Sequence, residues 1–389
     1  MRRILMIPGP VEYEPSVLSA LSMPTRSHTD TDFIRIFGEA LARTSSVFGL
    51  KDGFPFILSG SGTLGMETSV ANFISRDDKV LVVSTGFFGE RYQDLLSLYT
   101  SNVDVYRPPL GHSADPEVIR EKVQRDNYSL VTVTHVDTST GVRNDVRAIA
   151  SSFRQSDTIL AVDGVCSIGG EEFSMEWGVD VAFTASQKAL GTPPGLTIGT
   201  VGPKGVEKME KIKPLSFFSD LRRWKKVFES SLRSQPAYFG TPNVNLISAL
   251  NVSLENILNE GIANRTRRHA VVANAFRKAL SELGLKTLAG NDCANTLTVP
   301  YLPDNVGLRP FLSYAEKYGV VFAGGLLPEI KDRYFRIGHM GSVGQSEVMV
   351  SLAAIERSLA MNGYKVKFGS ALGKAQEVFQ ENDFGFNSQ

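Results

Sequence analysis

The sequence predicts an α/β protein with a mostly parallel, doubly wound sheet and a smaller α+β domain after it. Three observations lead there. From about residue 54 to 201 the chain repeats an apolar run, a polar glycine-rich loop and a helical stretch, the rhythm of strands joined by crossovers. Within Val181–Gly195 an apolar run ends on one cation, Lys188, before a proline–glycine turn that stops a helix. From about residue 262 the pattern changes to short strand-like and helix-like segments.

In chain order, Pro8-Gly9-Pro10 reads as a rigid turn with one glycine that a ligand can approach. Phe54–Leu58 is the first strand, running into Ser59-Gly60-Ser61-Gly62-Thr63-Leu64-Gly65 and a helix to about Ile74. These residues contain GxGxxG, but the dinucleotide reading wants an acid at the end of the next strand. That strand, Lys79–Val83, ends in Ser84-Thr85, and Asp77 and Asp78 precede it. What survives is small residues at a helix start, where free amides suit an anion. Ser61, Gly62 and Thr63 are thus candidate phosphate ligands, or simply a tight packing turn.

Ser84–Gly89 ends a strand with Phe87 and Phe88 beside glycines, where a ring can stack on a flat ligand or join the core. Asp115-Pro116 starts a helix with a cap and a first-turn proline. Leu130–Thr134 delivers the hydroxyl-rich loop His135–Gly141, and Thr158–Val162 delivers Asp163. If the runs before Asp163 and Lys188 are parallel strands, both residues emerge at one carboxyl edge, where open α/β sheets bind ligands. They then form either an ion pair or the two groups pyridoxal phosphate requires. Those are an amine for the aldehyde and a carboxylate for the ring nitrogen. Lys188 follows buried core, a setting for a nucleophilic amine; taken alone it reads first as an ordinary lysine at a strand end, and Asp163 is what shifts the reading.

Leu246–Leu258 has helical spacing and is expected to link the two domains. Beyond it, Thr296–Val299 and Val320–Phe322 read as strands, Leu312–Lys317 as helix, and 345–361 as a final amphipathic helix. In Tyr334–Gly341 one arginine, Arg336, stands between apolar neighbours and suits either a bound carboxylate or a structural salt bridge.

Composition narrows the function. The chain has 389 residues, enough for two domains, and 42% hydrophobic residues, too many for disorder. Lys+Arg and Asp+Glu each total 41, which removes the basic footprint of a nucleic-acid binder. Cys166 and Cys293 form no CxxC, and the five histidines show no metal-ligand spacing, so no metal site is expected. The basic start Met1-Arg2-Arg3 precedes only four apolar residues, too few for a signal peptide, and no run is long enough for a membrane span. Phe386-Asn387-Ser388-Gln389 is not a peroxisomal address. A cytoplasmic protein is expected.

Asp163-Gly164-Val165-Cys166-Ser167, Ser186-Gln187-Lys188-Ala189 with Pro193-Pro194-Gly195, and His135–Gly141 together resemble the class V aminotransferases. The resemblance is to the alanine–glyoxylate / serine–pyruvate group and spans Pro8-Gly9-Pro10 to Arg336-Ile337-Gly338. It implies a fold type I pyridoxal-phosphate-dependent transferase whose large domain holds a mostly parallel seven-stranded sheet. The implied division is an amino-terminal segment (1–15), a large cofactor-binding domain (16–260) and a small domain (261–389). By the same resemblance Lys188 is the Schiff-base lysine and Asp163 the partner of the ring nitrogen. Ser61, Gly62 and Thr63 form the phosphate loop with Gln187 beside them. Phe88 stands where the family stacks an aromatic, often tryptophan, and Val165 packs on the opposite face. Thr138 or Ser139 approaches the ring oxygen. Arg336, helped by the Gly9 backbone, takes the substrate carboxylate. Tyr238 and Thr241 match positions that reach the phosphate from a neighbouring subunit, which implies a homodimer.

The implied reaction moves an amino group from alanine or serine to glyoxylate or pyruvate by a ping-pong route. Three alternatives stand beside it. A cysteine desulfurase would want histidine at Phe88. A phosphoserine aminotransferase would want a different loop at 137–140 and more cations. A non-catalytic cofactor-binding subunit would not need Lys188, Asp163 and Arg336 together. His28 and His339 are candidates for side-chain specificity.

Overall fold

The computed structural model describes residues 3–153 and 156–382; Met1-Arg2 and Phe386–Gln389, used in the targeting expectations, lie outside the described residues. The chain opens with a short strand β1 (Ile4–Leu5) and helices α1 (Pro15–Leu21) and α2 (Thr31–Phe48). Then come β2 (Phe54–Ser59), α3 (Gly62–Ala71), β3 (Val80–Val83), α4 (Phe87–Leu96), β4 (Val103–Tyr106), α5 (Pro116–Arg125) and β5 (Leu130–Thr134). A small hairpin, β6 (Val136–Asp137) and β7 (Val142–Arg143), precedes α6 (Val146–Ser151), β8 (Ile159–Asp163), β9 (Val181–Ala185) and β10 (Leu196–Val201). Helices α7 (Pro203–Lys211), α8 (Leu221–Leu232) and α9 (Val244–Glu260) complete the first half.

The main sheet has seven strands in the order β2-β10-β9-β8-β5-β3-β4. Only β10 runs against its neighbours, β2 and β9. β3, β4, β5, β8 and β9 pair in parallel. The reason is legible in the strands: β5, β8, β9 and β10 are buried at every position, so both faces must be covered by helices. The expected doubly wound architecture is the observed one. Its consequence is that the loops after β2, β3, β5, β8 and β9 gather at one edge.

The second half begins with α10 (Ile262–Glu282) and continues through β11 (Leu297–Thr298), α11 (Leu308–Lys317), β12 (Val320–Val321), β13 (Ala323–Gly324), β14 (Phe335–Gly338), α12 (Gln345–Met361) and α13 (Ser370–Glu381). α9 packs on α1 and α2, whereas α10 packs on α13. The break between them is Gly261, whose φ of +80° suits only glycine comfortably. The expectation that 345–361 is the last helix is corrected by α13. Ala371, Ala375, Val378 and Phe379 are buried in the second core, a spacing masked in sequence by interspersed lysine and glutamate.

β1 adds itself to this second half by pairing in parallel with β12, Ile4 against Val320 and Leu5 against Val321. The segment after β1 then crosses to the main sheet. A small apolar cluster of Val11, Cys166, Ala189, Leu297 and Met340 joins the two halves there. No helix among the described residues is long and apolar enough to cross a membrane.

Candidate active site

Asp163 is the last residue of β8, in register with Thr134 of β5 and Phe183 of β9. Lys188 lies just beyond β9. Both line a single cleft of about 160 Å³ at the carboxyl edge of the sheet. The spatial premise of the sequence reading is therefore met.

Around them the same cleft collects Ser61, Gly62 and Thr63 from the start of α3, Phe88 from α4, Thr138 from the β6–β7 loop, Val165, and Gln187. Six different elements contribute, because each polar loop follows a strand of one sheet. The first-turn amides of Gly62 and Thr63 have no acceptor among the described residues, and the Ser61 side chain makes no capping bond. That leaves the positive end of a ten-residue helix open toward the cleft. Gly62 is required by contact rather than by φ: a Cβ there would stand 2.9 Å from Val165 Cγ2.

Lys188 Nζ donates a hydrogen bond to the Pro8 carbonyl. Gly9 has φ of +92°, and a Cβ on it would fall 2.6 Å from Lys188 Cδ. The amino-terminal turn therefore acts as a wall against the lysine, and only glycine fits it. Asp163 is 4% exposed, and its Oδ1 accepts the Val165 amide at 2.9 Å. Among the described residues this is the only hydrogen bond to its carboxylate. Burial pushes its carboxyl up to about 7; the Val165 amide, Lys188 and Arg91 oppose the rise, and Asp137 adds to it. A carboxylate held this way gains most from a cation placed directly against it.

Five expected site residues are not on the cleft wall. Ser139 is fully buried; its hydroxyl donates to Asp137 Oδ1, and its oxygen accepts the Phe87 amide at 2.9 Å. Asp137 in turn accepts the Phe88 and Gly89 amides. Ser139 thus anchors the start of α4, and of the two hydroxyls Thr138 alone reaches the cleft. Gly9 lies against the Lys188 side chain. Arg336 lies behind Thr138, donating Nε to the Gly324 carbonyl at 2.7 Å and Nη1 to the Thr138 carbonyl at 3.4 Å. It forms no salt bridge among the described residues, and burial lowers its pKa from the ordinary arginine value, with Tyr334, Cys166 and Asp137 opposing the fall. Tyr238 is 65% exposed and, with Thr241, lies away from this cleft, its ring 5.3 Å from that of His28.

Neither specificity candidate lines the cleft. His339 is closed inside the second half, bonded to Thr298 Oγ1 at 2.9 Å and stacked on Phe276. His28 sits beside Tyr238 on the outer surface.

Sequence reasoning missed Arg91. It lines the cleft with its guanidinium 4.9 Å from the Phe88 ring centre and its Nη1 3.5 Å from Thr63 Oγ1. The available signal was spacing: Phe88 and Arg91 are three residues apart on one helix and share a face. Thr134, Met66, Val136 and Cys166 also line the cleft, and the buried Thr134 Oγ1 and Gln187 Oε1 lack hydrogen-bond partners. Burial pushes the Cys166 thiol up, so it stays protonated and unreactive. No cluster of three or more metal-ligating side chains occurs among the described residues.

The profile of the family "Aminotransferase class-V" matches residues 21–325. The alanine–glyoxylate aminotransferase 1 of Saccharomyces cerevisiae is 41% identical over 355 residues, 87% of this chain and 91% of that protein. The serine–glyoxylate aminotransferase of Arabidopsis thaliana is 31% identical, covering 98% of this chain and 96% of its own. Among solved structures, the pyridoxamine–pyruvate aminotransferase of Mesorhizobium loti superposes with a TM-score of 0.92 at 28% identity, covering 98% of both chains.

Proposed function

Since the chain belongs to the class-V aminotransferase family it is a transaminase, and we propose that it uses pyridoxal 5′-phosphate to move an amino group from alanine or serine to glyoxylate or pyruvate. The observation that carries this reading is the convergence of Lys188, Asp163 and the open start of α3 on one cleft. The residues present fit that cofactor. A buried carboxyl with a raised pKa suits a protonated ring nitrogen, and unpartnered amides at a helix start suit a phosphate. The unpartnered Gln187 Oε1 belongs to an amide that can turn its N–H toward the same phosphate.

When bound, the cofactor supplies an aldehyde that accepts the amine and a ring that draws electrons from the substrate Cα. Lys188 Nζ, placed by the Pro8 carbonyl and the Gly9 wall, would be the group that holds the aldehyde end. Once a substrate amine displaces it, Nζ is the base that takes the Cα proton and the acid that returns one. Asp163 would hold a protonated ring nitrogen, and its charge there would favour electron withdrawal by the ring. Phe88, Val165 and Thr138 line the same cleft; the two apolar side chains would pack against a flat ring and the hydroxyl would offer it a hydrogen bond. Arg336, displaced from its carbonyl partners, takes the substrate carboxylate through its planar fork.

The proposed small donors and acceptors rest on the names of the relatives. The homodimer in which Tyr238 and Thr241 reach a neighbour's phosphate rests instead on the resemblance of the 237–242 stretch to the family. The exposure of both residues supports the dimer. The test is a panel of amino donors against glyoxylate and pyruvate, following the cofactor's visible band through each half-reaction. Alanine or serine is expected to shift the band, and Lys188→Ala to abolish turnover. Amino transfer by Lys188→Ala at the wild-type rate would overturn the assignment.

A further inference from the structure

Arg265, on α10 of the second half, is 4% exposed, and its guanidinium is bonded in three directions. Nε donates to the Gly169 carbonyl at 2.7 Å, Nη2 to the Ala189 carbonyl at 2.8 Å, and Nη1 to the Glu260 carboxylate at 2.7 Å. The two carbonyls belong to different loops. Gly169 lies within the loop that follows Asp163, and Ala189 is the residue after Lys188. One planar cation thus ties together the loops that carry the acid and the amine.

Burial lowers the Arg265 pKa, the charge of Arg268 adds to this, and Glu260 opposes it. Glu260 also takes two bonds from Arg268, whose remaining donors go to the Gly341 and Val343 carbonyls. Burying a cation to bond backbone carbonyls is expensive unless the geometry is well met, and the rigid fork meets it where a lysine would not. Ser253 donates to the next carbonyl, that of Leu190, so the turn is held on two sides.

We propose that Arg265 is a positioning residue that sets the Lys188 amine against the Asp163 carboxylate. This rests on the reading of Lys188 as the amine that takes the cofactor aldehyde. A purely structural arginine would weaken the fold without favouring one form of the cofactor.

The experiment measures binding of two probes, pyridoxal 5′-phosphate and pyridoxamine 5′-phosphate, to the cofactor-free full-length protein. They share the ring and phosphate. Only the aldehyde condenses with Nζ, forming a carbon–nitrogen double bond and releasing one water. The ratio of the two affinities therefore isolates the lysine. Arg265→Lys keeps a charge for Glu260 but cannot reach both carbonyls. It is expected to lower pyridoxal phosphate affinity about tenfold, the scale of one lost hydrogen bond to a charged group, with pyridoxamine phosphate changed less than about twofold. Arg265→Gln, which keeps one donor, is read in the same way should the lysine variant not fold. Arg268→Lys disturbs the same glutamate without touching either loop and is expected to leave the ratio unchanged.

Equal losses for both probes, or no loss for either, would overturn the proposal. Lys188→Ala separates this from failure of its premise. That variant should abolish the preference for the aldehyde, and Arg265→Lys should then change nothing further. If Lys188→Ala retains the preference, the lysine assignment has failed; if it loses the preference while Arg265→Lys keeps it, only the positioning role has.

Discussion

Replacing Asp163 with asparagine should stabilise the cofactor-free protein while damaging the cofactor-bound one. The side chains have the same shape, and asparagine keeps an oxygen for the Val165 amide. What disappears is a charge whose pKa rises from 3.8 to about 7 through burial. Below pH 4 the carboxyl is neutral in both folded and unfolded chains and contributes nothing. Between about 4 and 7 the folded chain binds the extra proton, so stability falls as pH rises. Above the folded value the full cost is present, about 4 kcal/mol from 1.36 kcal/mol per pH unit. At pH 5 the same arithmetic leaves about 1.6 kcal/mol. Urea unfolding of cofactor-free wild type and Asp163→Asn at pH 5 and pH 8 measures both gaps. The variant should be the more stable at each pH, with the larger gap at pH 8. Saturating pyridoxal phosphate should reverse the order at pH 8, because only the wild type gains a paired charge. A variant no more stable than wild type at pH 8, or a gap that does not shrink toward pH 5, would refute the account of Asp163 as a carboxylate held in wait for a cation.

Gly9→Ala places a Cβ 2.6 Å from Lys188 Cδ at a φ of +92°, so it should cost about 1–3 kcal/mol of stability and lower kcat, read by thermal unfolding and steady-state assays. Arg91→Leu removes the cation beside Thr63 and over Phe88, and should weaken inorganic phosphate binding to the cofactor-free protein about fivefold by titration, since a phosphate near that helix start loses a neighbouring cation. Acid should destabilise the fold through His135 and His339, both held by burial at about 3. Each is neutral when folded and charges when unfolded below its ordinary value of 6.5, so each removes about 2 kcal/mol by pH 5. His269, also fully buried and held well below its ordinary value, acts in the same direction. His135→Gln should therefore gain about 2 kcal/mol on wild type between pH 8 and pH 5 in unfolding titrations, and an unchanged difference would show that this imidazole does not contribute.

The sequence alone determined the layered sheet, the edge at which its loops meet, and the pair Asp163 and Lys188. All three follow from local rules. A strand buried on both faces reads as a largely apolar run broken only by small hydroxyls, and the polar residue that ends it lies at the rim where ligands bind. Tertiary structure decided what no local pattern encodes. Thr138 and Ser139 are adjacent hydroxyls, and only the fold turns one to the cleft and spends the other on the start of α4. Arg336 reads as a carboxylate site or a salt bridge, yet among the described residues the fold gives it two carbonyls and no salt bridge. The Gly9 wall and the Arg265 clamp join residues far apart in the chain, through backbone carbonyls present at every position. A hydrogen bond to main chain leaves no mark on the residue that accepts it, and its geometry exists only after the two halves have packed.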